Sequence, residues 1–326
     1  KMFSKWEDYM IRTTLGMLSA ALSATLLSTT SPLAAECPAD FPSKPITMVV
    51  SFGAGGGTDT IARALATAIE QQQGWTIVVE NRPGAGGANA AAWLKTQPAD
   101  GYIIGATGTD AIAINPAISD VGYSWADFDY LGSGMQTWLG LVALSDAPFD
   151  DLQGLVQLAR EKGRATVAVA GINQEILIKQ LAEEFDVELV AIPGAGAAEA
   201  LTSALGGHVD ATTQGTLHVE QIEAGKMKLI TSIIDRRVPY APDVGTLSEQ
   251  GSKAQPLISH TIFITPKGLQ PEIATCLEQA IDEGVKAESY VKQMQAFKNE
   301  ALNLGAEGNA RLAKELSEFY SAMLKP

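Results

Sequence analysis

Short apolar segments alternate with helical segments along this chain, and the alternation strongly constrains the fold. The first unit, residues 46–72, is a strand that stops at Gly53-Ala54-Gly55-Gly56-Gly57 and passes into a helix. Further strands are predicted at 76–80 and 102–106, with a helix at 88–97 between them. The order β-α-β-α-β is typical of a doubly wound α/β sheet, in which the loops after the strands gather at one edge.

The middle of the chain repeats this pattern. The predicted elements there are helices at 152–161 and 174–185 and strands at 166–170, 187–192, 209–213 and 228–234. Strand-like stretches at 131–144 and 257–265 join the halves, a loop with a short helix at its end is predicted at 236–251, and the tail 271–325 is mostly helical. We therefore predict two α/β lobes, each a doubly wound sheet with flanking helices, joined by a hinge of two strand crossings. Lobe 1 would contain residues 36–140 plus 259–326, and lobe 2 residues 141–258.

Residues 1–35 are interpreted as an N-terminal extension, with a start at Met10, followed by a signal peptide. Lys5 and Arg12 precede an apolar run at 15–27, and small residues lead to a cleavage site after Ala35. The apolar run is shorter than the about 20 residues that a bilayer span needs, so a signal peptide is favoured over a membrane anchor. We therefore expect export to the periplasm.

Two cysteines, Cys37 and Cys276, remain after that cleavage site. In an exported protein they either form one disulfide, which an oxidising compartment favours, or stay as free thiols. Sequence alone does not show whether their Cα atoms are close enough to pair.

The composition excludes several classes of function. The formal net charge is −14, whereas binding to nucleic-acid phosphates needs an excess of Lys and Arg. The three histidines show no metal-ligand spacing, and no G-x-S-x-G motif is present. We therefore predict no nucleic-acid partner, metal, cofactor or catalytic centre.

Two glycine-rich loops, 53–57 and 84–87, follow neighbouring strands of the first lobe. Neither fits the dinucleotide pattern G-x-G-x-x-G, because Thr58 and Asn89 stand where the third glycine is required. Each loop enters a helix, so free amides and a helix dipole would face a ligand that glycine allows to approach closely. The loops either form only tight turns or bind a carboxylate, and their pairing in one lobe favours the carboxylate.

Five segments carry a resemblance to a known family. They are FPSKPITMVVSFGAGGGTDTIARALA, VVENRPGAGGANAA, PADGYIIGATGTDAIAINPAI, GGHVDA and RRVPYAPDVGTLSEQG. Together they resemble the solute receptors of tripartite tricarboxylate transporters, also called the Bug family, over roughly residues 41–326. The resemblance implies a two-lobed periplasmic-binding-protein fold of type II (a Venus flytrap) and a receptor, not an enzyme. It also implies delivery of an organic anion to a membrane permease, by a monomer.

The resemblance further implies which residues bind the ligand. In lobe 1 they are the two glycine loops and the Gly/Thr loop after the third strand: Phe52, Gly53, Ala54, Gly56, Gly57, Thr58, Asp59, Gly84, Ala85, Gly86, Gly87, Thr107 and Thr109. In lobe 2 they are Gly171, Ile172, Gln174, Gly194, Ala195 and Gln214. Asp59 has a second interpretation, as a simple helix cap.

The second lobe departs from the family pattern. Gly194 and Ala195 stand where family members often carry an aromatic and a basic residue, and Gln214 where an aspartate is common. Because no arginine clamp is evident, we expect a dicarboxylate, or a monocarboxylate with an apolar or polar tail, rather than citrate.

Two other functions stay open on the sequence. The first is that of a protein with the same fold that reports its ligand to a sensor kinase. An exported enzyme that acts on a carboxylate would need a reactive group in the cleft, and Asp59, Asp110 and His260 are its only candidates.

Overall fold

The computed structural model describes residues 37–215 and 217–323. It contains ten strands: β1 Ile46–Val50, β2 Ile77–Asn81, β3 Ile103–Gly108, β4 Phe128–Gln136, β5 Gly140–Leu144, β6 Ala165–Val169, β7 Leu189–Pro193, β8 Ala211–Gln214, β9 Met227–Ser232 and β10 His260–Pro266. The signal peptide predicted from the sequence lies outside the described residues.

Eleven α-helices connect or follow these strands in the described part of the chain. They are α1 Gly57–Gln73, α2 Ala88–Lys95, α3 Thr109–Ala113, α4 Asn115–Ile118, α5 Leu152–Lys162, α6 Ile172–Phe185, α7 Ala197–Leu205, α8 His218–Glu223, α9 Pro271–Lys286, α10 Glu288–Ala296 and α11 Gly305–Met323. Within the described residues, no helix is both long enough and apolar enough to cross a membrane.

The strands form two five-stranded sheets, with orders β2-β1-β3-β10-β4 and β7-β6-β8-β5-β9. We call each sheet with its helices lobe 1 and lobe 2, respectively. Both sheets are mixed, because β10 and β5 run antiparallel to their neighbours. This follows from the crossings: the parallel strands end at the cleft between the lobes, so a strand that enters a lobe from the cleft must run the opposite way. The predicted two-lobed α/β fold is confirmed.

The crossings are short and joined to each other. Residues 137–139 connect β4 to β5, and residues 233–259 connect β9 back to β10. The amide of Thr137 donates a hydrogen bond to the carbonyl of Ser259 at 2.8 Å, which ties the two crossings together where they leave lobe 1.

Apolar side chains at helical spacing explain the packing of lobe 1. Ile61, Leu65 and Ile69 lie on one face of α1 and pack with Leu277 and Ile281 of α9 against the sheet. The opposite face of the sheet is covered by α2 and α11. Lobe 2 has its own core, to which α5, α6 and α7 contribute.

Two local expectations are wrong. The predicted helix at the end of 236–251 is a series of turns, because Gly251 has φ of +88° and the amide of Ser252 bonds back to the carbonyl of Leu247, which ends the segment after one turn. The predicted continuous strand at 131–144 is broken at 137–139, where the chain passes from one sheet to the other.

Cys37 and Cys276 form a disulfide, with their Cα atoms 4.9 Å apart. The bond joins the segment before β1 to α9. Phe41 of the same segment packs against the rings of Trp75 and Tyr102. The beginning of the described chain is thereby fixed to the outer side of lobe 1.

Candidate functional site

Two adjoining cavities lie between the lobes. The first spans about 630 Å³ and the second about 680 Å³, and both volumes include space that is open to solvent. Both are lined by Ala170 and Gly171, at the point where β6 ends and α6 begins. The cavities therefore form one cleft along the edge where the parallel strands of both lobes end.

The first cavity contains the first glycine loop. From lobe 1 it is lined by Phe52, Gly56, Gly57, Thr58, Ile61, Gly108 and Asp110, from the crossings and β10 by Thr137, Leu139, Ser259 and Thr261, and from lobe 2 by Ala170, Gly171, Gln174, Ala197 and Gly215.

The second cavity contains the second glycine loop. Its lobe 1 wall is formed by Ala85, Gly86, Ala88, Asn115, Ile118, Ser119 and Val121, and its lobe 2 wall by Val169, Ala170, Gly171, Ile172, Glu175, Pro193 and Gly194. The two loops thus line neighbouring cavities rather than a single point, which the sequence did not predict.

The lobes touch across this cleft at glycines. A Cβ atom on Gly196 would lie 3.5 Å from the amide nitrogen of Gly53, and one on Gly86 would lie 3.8 Å from that of Ile172. A Cβ at either position would be in ordinary van der Waals contact with the backbone of the other lobe. The two lobes therefore approach each other closely at these loops.

The first loop is held by a buried polar network. The carboxylate of Asp59 accepts hydrogen bonds from the amide of Gly55 at 2.9 Å, from Arg63 Nε at 3.0 Å and from Asn81 Nδ2 at 2.8 Å. Asn81 Nδ2 also donates to the carbonyl of Phe52. Burial by itself would raise the pKa of Asp59, but the hydrogen bonds from Arg63, Gly55 and Asn81 outweigh it and hold the pKa below its usual value. Asp59 fixes the loop and is not in the wall of either cavity.

The second loop depends on left-handed backbone. Gly84, Gly86 and Gly87 all have positive φ, and Asn115 Nδ2 donates to the carbonyl of Gly86 at 3.2 Å. The φ of Gly87 is +91°, and a Cβ there would lie 2.8 Å from the Cβ of Ala111. Glycine is therefore required at residue 87 both for conformation and for space.

We expect Gly87→Ala to lower the free energy of unfolding by about 2–4 kcal/mol, through backbone strain plus overpacking. Gly74→Ala is the matched control, because Gly74 has φ of +70° at the end of α1 but open space around it. Strain alone should cost the control about 1 kcal/mol. Urea denaturation of both variants measures the difference, and equal losses would contradict the contact with Ala111.

Three helix N-termini direct partial positive charge towards the first cavity. The helices α1, α6 and α7 have 17, 14 and 9 residues and begin behind Gly56, Gly171 and Gly196, respectively, without a side-chain cap. Their first amides have no partner inside the helix, and the helix dipole adds partial positive charge there. Among the described residues that line either cavity, none is Lys, Arg or His. An anion in the cleft would be held by backbone amides.

Lobe 2 contributes amide side chains. Gln174 Oε1 accepts bonds from the amide of Ala170 at 2.8 Å and from Thr213 Oγ1 at 2.6 Å, which leaves the Gln174 nitrogen as the group available to a ligand in the first cavity. Gln214 lies behind this wall and donates to the carbonyl of Ala197 at 3.1 Å. Gln214 therefore supports the start of α7.

The three candidate reactive groups do not share a wall. Asp110 lines the first cavity, Asp59 is engaged with Arg63, and His260 is buried outside both cavities. Burial lowers the pKa of His260 to about 4. Its amide donates to Thr109 Oγ1 at 3.1 Å, so Thr109 supports β10.

The predicted residues thus fall into two groups. In the cavity walls lie Phe52, Gly56, Gly57, Thr58, Ala85, Gly86, Gly171, Ile172, Gln174 and Gly194. Outside them, behind or between the walls, lie Gly53, Ala54, Asp59, Gly84, Gly87, Thr107, Thr109, Ala195 and Gln214. Sequence reasoning did not place Asn115, Thr137 or Ser259 in the site, because they follow loops and crossings whose meeting only the fold determines.

Sequence similarity places the chain in a known family. Residues 61–325 match the family described as "Tripartite tricarboxylate transporter family receptor" (TctC). This chain belongs to that family. BugT of Bordetella pertussis is 28% identical over 281 residues, which cover 82% of this chain and 84% of BugT.

Solved structures show the same fold. The periplasmic binding protein BugD is 28% identical to this chain, and the two structures match with a TM-score of 0.81. The match covers 87% of this chain and 97% of BugD. MatC from Rhodopseudomonas palustris, solved with bound malate, is 23% identical, with a TM-score of 0.81 over 87% of this chain and 100% of MatC. The resemblance expected from the sequence is confirmed, and the chain is a member of a solute-binding receptor family of periplasmic binding proteins.

Proposed function

We propose that this protein is a periplasmic receptor that captures a small organic mono- or dicarboxylate between its lobes and delivers it to a membrane permease of the tripartite tricarboxylate type. The observation that carries the proposal is the set of three helix N-termini with glycine caps, on both lobes, in the wall of one cavity. Such helix ends bind carboxylates through backbone amides.

Closure follows from the same arrangement. Amides from lobe 1 and from lobe 2 contact the ligand together only when the cleft is shut, so the ligand shifts the population towards the closed form. A third carboxylate would have no cationic partner among the described residues of the walls, which favours ligands with one or two carboxylates over citrate.

A thermal-shift screen of residues 36–326 tests the carboxylate. We would compare acetate, propionate, succinate, adipate and benzoate with their amides, at concentrations up to 10 mM. A ligand at a hundred times its Kd adds about 2.7 kcal/mol to the folded state, which is a clear rise in Tm. We expect at least one acid to stabilise the protein where its amide does not. If each amide matches its acid, the anion site is not there.

Gly57→Pro tests the helix end itself. Gly57 is the first residue of α1, and the preceding Gly56 has φ of −75° and ψ of 169°, which suits a residue before proline. Proline is tolerated at this position but removes the amide donor. We expect carboxylate affinity to fall about tenfold or more, because one charge-assisted hydrogen bond to the ligand is lost. Glu288→Pro, at the start of α10, which lines neither cavity, is the control and should bind normally.

A further inference from the structure

The lobes also touch away from the cavity walls, along one side of α6. Ile172, Ile176 and Gln180 of this lobe 2 helix are spaced four residues apart, so their side chains lie on one face. Gln180 Nε2 donates to Met323 Sδ at 3.6 Å, and Met323 belongs to α11 of lobe 1. A helix of each lobe therefore meets a helix of the other.

An apolar cluster fills this contact between the helices. Leu316 and Tyr320 of α11 are its buried members, with 9% and 7% of their surface exposed. Ile172 and Ile176 of lobe 2 pack against the cluster, as does Ile258 of the second crossing. We call these side chains, together with Met323, the α6–α11 cluster. Because burial of apolar surface is favourable, the cluster stabilises the arrangement in which the lobes lie together.

Opening of the cleft must disturb this cluster. Ile172 belongs both to the cluster and to the wall of the second cavity. Its amide nitrogen would lie 3.8 Å from a Cβ atom on Gly86 of lobe 1, so the lobes are in close approach there. Because α6 moves as one helix, opening the cleft at this point draws Ile172 and Ile176 away from α11. Apolar surface is then exposed, at a cost that does not depend on a ligand.

We propose that the α6–α11 cluster is a clasp, which keeps a substantial share of the receptor molecules closed before any ligand enters. This inference rests on the proposed function for the role of closure, but the clasp acts in the free protein. The apparent affinity for a ligand equals the intrinsic affinity multiplied by the fraction of molecules in the binding-competent form. The clasp raises that fraction and, with it, the affinity for whatever the cleft accepts.

Truncation of the clasp tests the proposal. Ile176→Ala and Met323→Ala each remove a clasp side chain, and alanine suits both helices. Neither residue is among the described residues that line a cavity, so no contact to a ligand is removed. Leu205→Ala is the control, because Leu205 ends α7 of lobe 2, outside the clasp, and is 37% exposed. The Tm of each variant shows that it is folded.

Small-angle X-ray scattering of the ligand-free proteins is the first measurement. We expect a larger radius of gyration in I176A and M323A than in wild type, because more molecules are open, and no change in L205A. The second measurement is the affinity for whichever of acetate, propionate, succinate, adipate and benzoate binds wild type most tightly. That affinity should fall about threefold to tenfold in the two clasp variants and stay unchanged in L205A.

An unchanged radius of gyration in both clasp variants would overturn the inference, and so would an equal increase in L205A. A higher affinity in I176A would show that the cluster favours the open form, which would overturn it as well. If none of the five acids binds wild type, the proposed carboxylate receptor fails. The scattering of the ligand-free variants then still decides whether the clasp exists.

Discussion

Gly171→Val is expected to lower ligand affinity by about tenfold while the Tm of the free protein falls by only a few degrees. Gly171 has φ of −146° and ψ of 162°, an extended conformation that valine adopts without strain. Its Cβ would lie 2.9 Å from Asp110 Oδ2, and the methyl groups of valine would extend further towards lobe 1. The Cβ would also lie 3.1 Å from Asn173 Oδ1 of its own helix, a contact that a small shift of the Asn173 side chain relieves in either form. The clash with Asp110 exists only when the lobes are closed, and overpacking of this kind costs about 1–3 kcal/mol.

Two measurements separate closure from folding. Titration of the variant with the best carboxylate of the thermal-shift screen gives the affinity, and small-angle X-ray scattering with and without that ligand reports whether the molecule becomes more compact. Ala224→Val adds similar bulk at an exposed position of lobe 2 and should behave as wild type. Full affinity in G171V would show that α6 does not approach Asp110 in the ligand-bound form.

Loss of the disulfide is expected to lower the free energy of unfolding by about 3–5 kcal/mol. The bond between Cys37 and Cys276 spans 239 residues, so it removes much of the conformational freedom of the unfolded chain. Cys276 is also buried in the core of lobe 1, next to α1. At about 2–4 °C per kcal/mol, Tm should fall by roughly 10 °C.

Cys276→Ser and Cys37→Ser should show the same loss, and the double variant should lose no more than either single one. Reductant should lower the Tm of wild type to that of the variants and leave the variants unchanged. Reductant reaches the cysteines once the chain unfolds. A wild-type Tm that does not change with reductant would therefore contradict the disulfide. Ligand affinity should stay normal in these variants, because the bond lies on the outer side of lobe 1.

The sequence predicts the regular elements well because local pattern determines them. Ile46–Val50 and α1 follow directly from a β-branched run, a glycine stop and apolar residues at helical spacing. The helices at 109–118 were missed, since they are too short for a periodic pattern to emerge. Their position depends on α11, which packs against Ile114 through Leu316 and Tyr320.

The site was only half predictable for the same reason. Glycines in loops after strands indicate a place for a ligand, and of the glycines chosen in this way Gly56, Gly57 and Gly86 line the cavities. That they bind the ligand stays a prediction. It could not distinguish residues that line a cavity from residues that hold the loops in place. Asp59 and Thr109 belong to the same loops, but Asp59 bonds to Arg63 and Thr109 to the backbone of β10. The contact between Asp110 and the start of α6 depends on where lobe 2 lies, and no local pattern contains that information.

The order of strands in the two sheets determines which lobe can be completed first during synthesis of the chain. Lobe 2 is built from consecutive strands, β5 to β9, and needs nothing from outside residues 140–232 to complete its sheet. Lobe 1 is different, because β10 lies between β3 and β4 and joins them. Until residues 260–266 are available, β4 has no neighbour in its sheet, and the cysteine of α9 comes later still. Lobe 1 begins first in the sequence but is completed last. Its disulfide joins two parts of one lobe, and the whole of lobe 2 lies between those parts in the sequence.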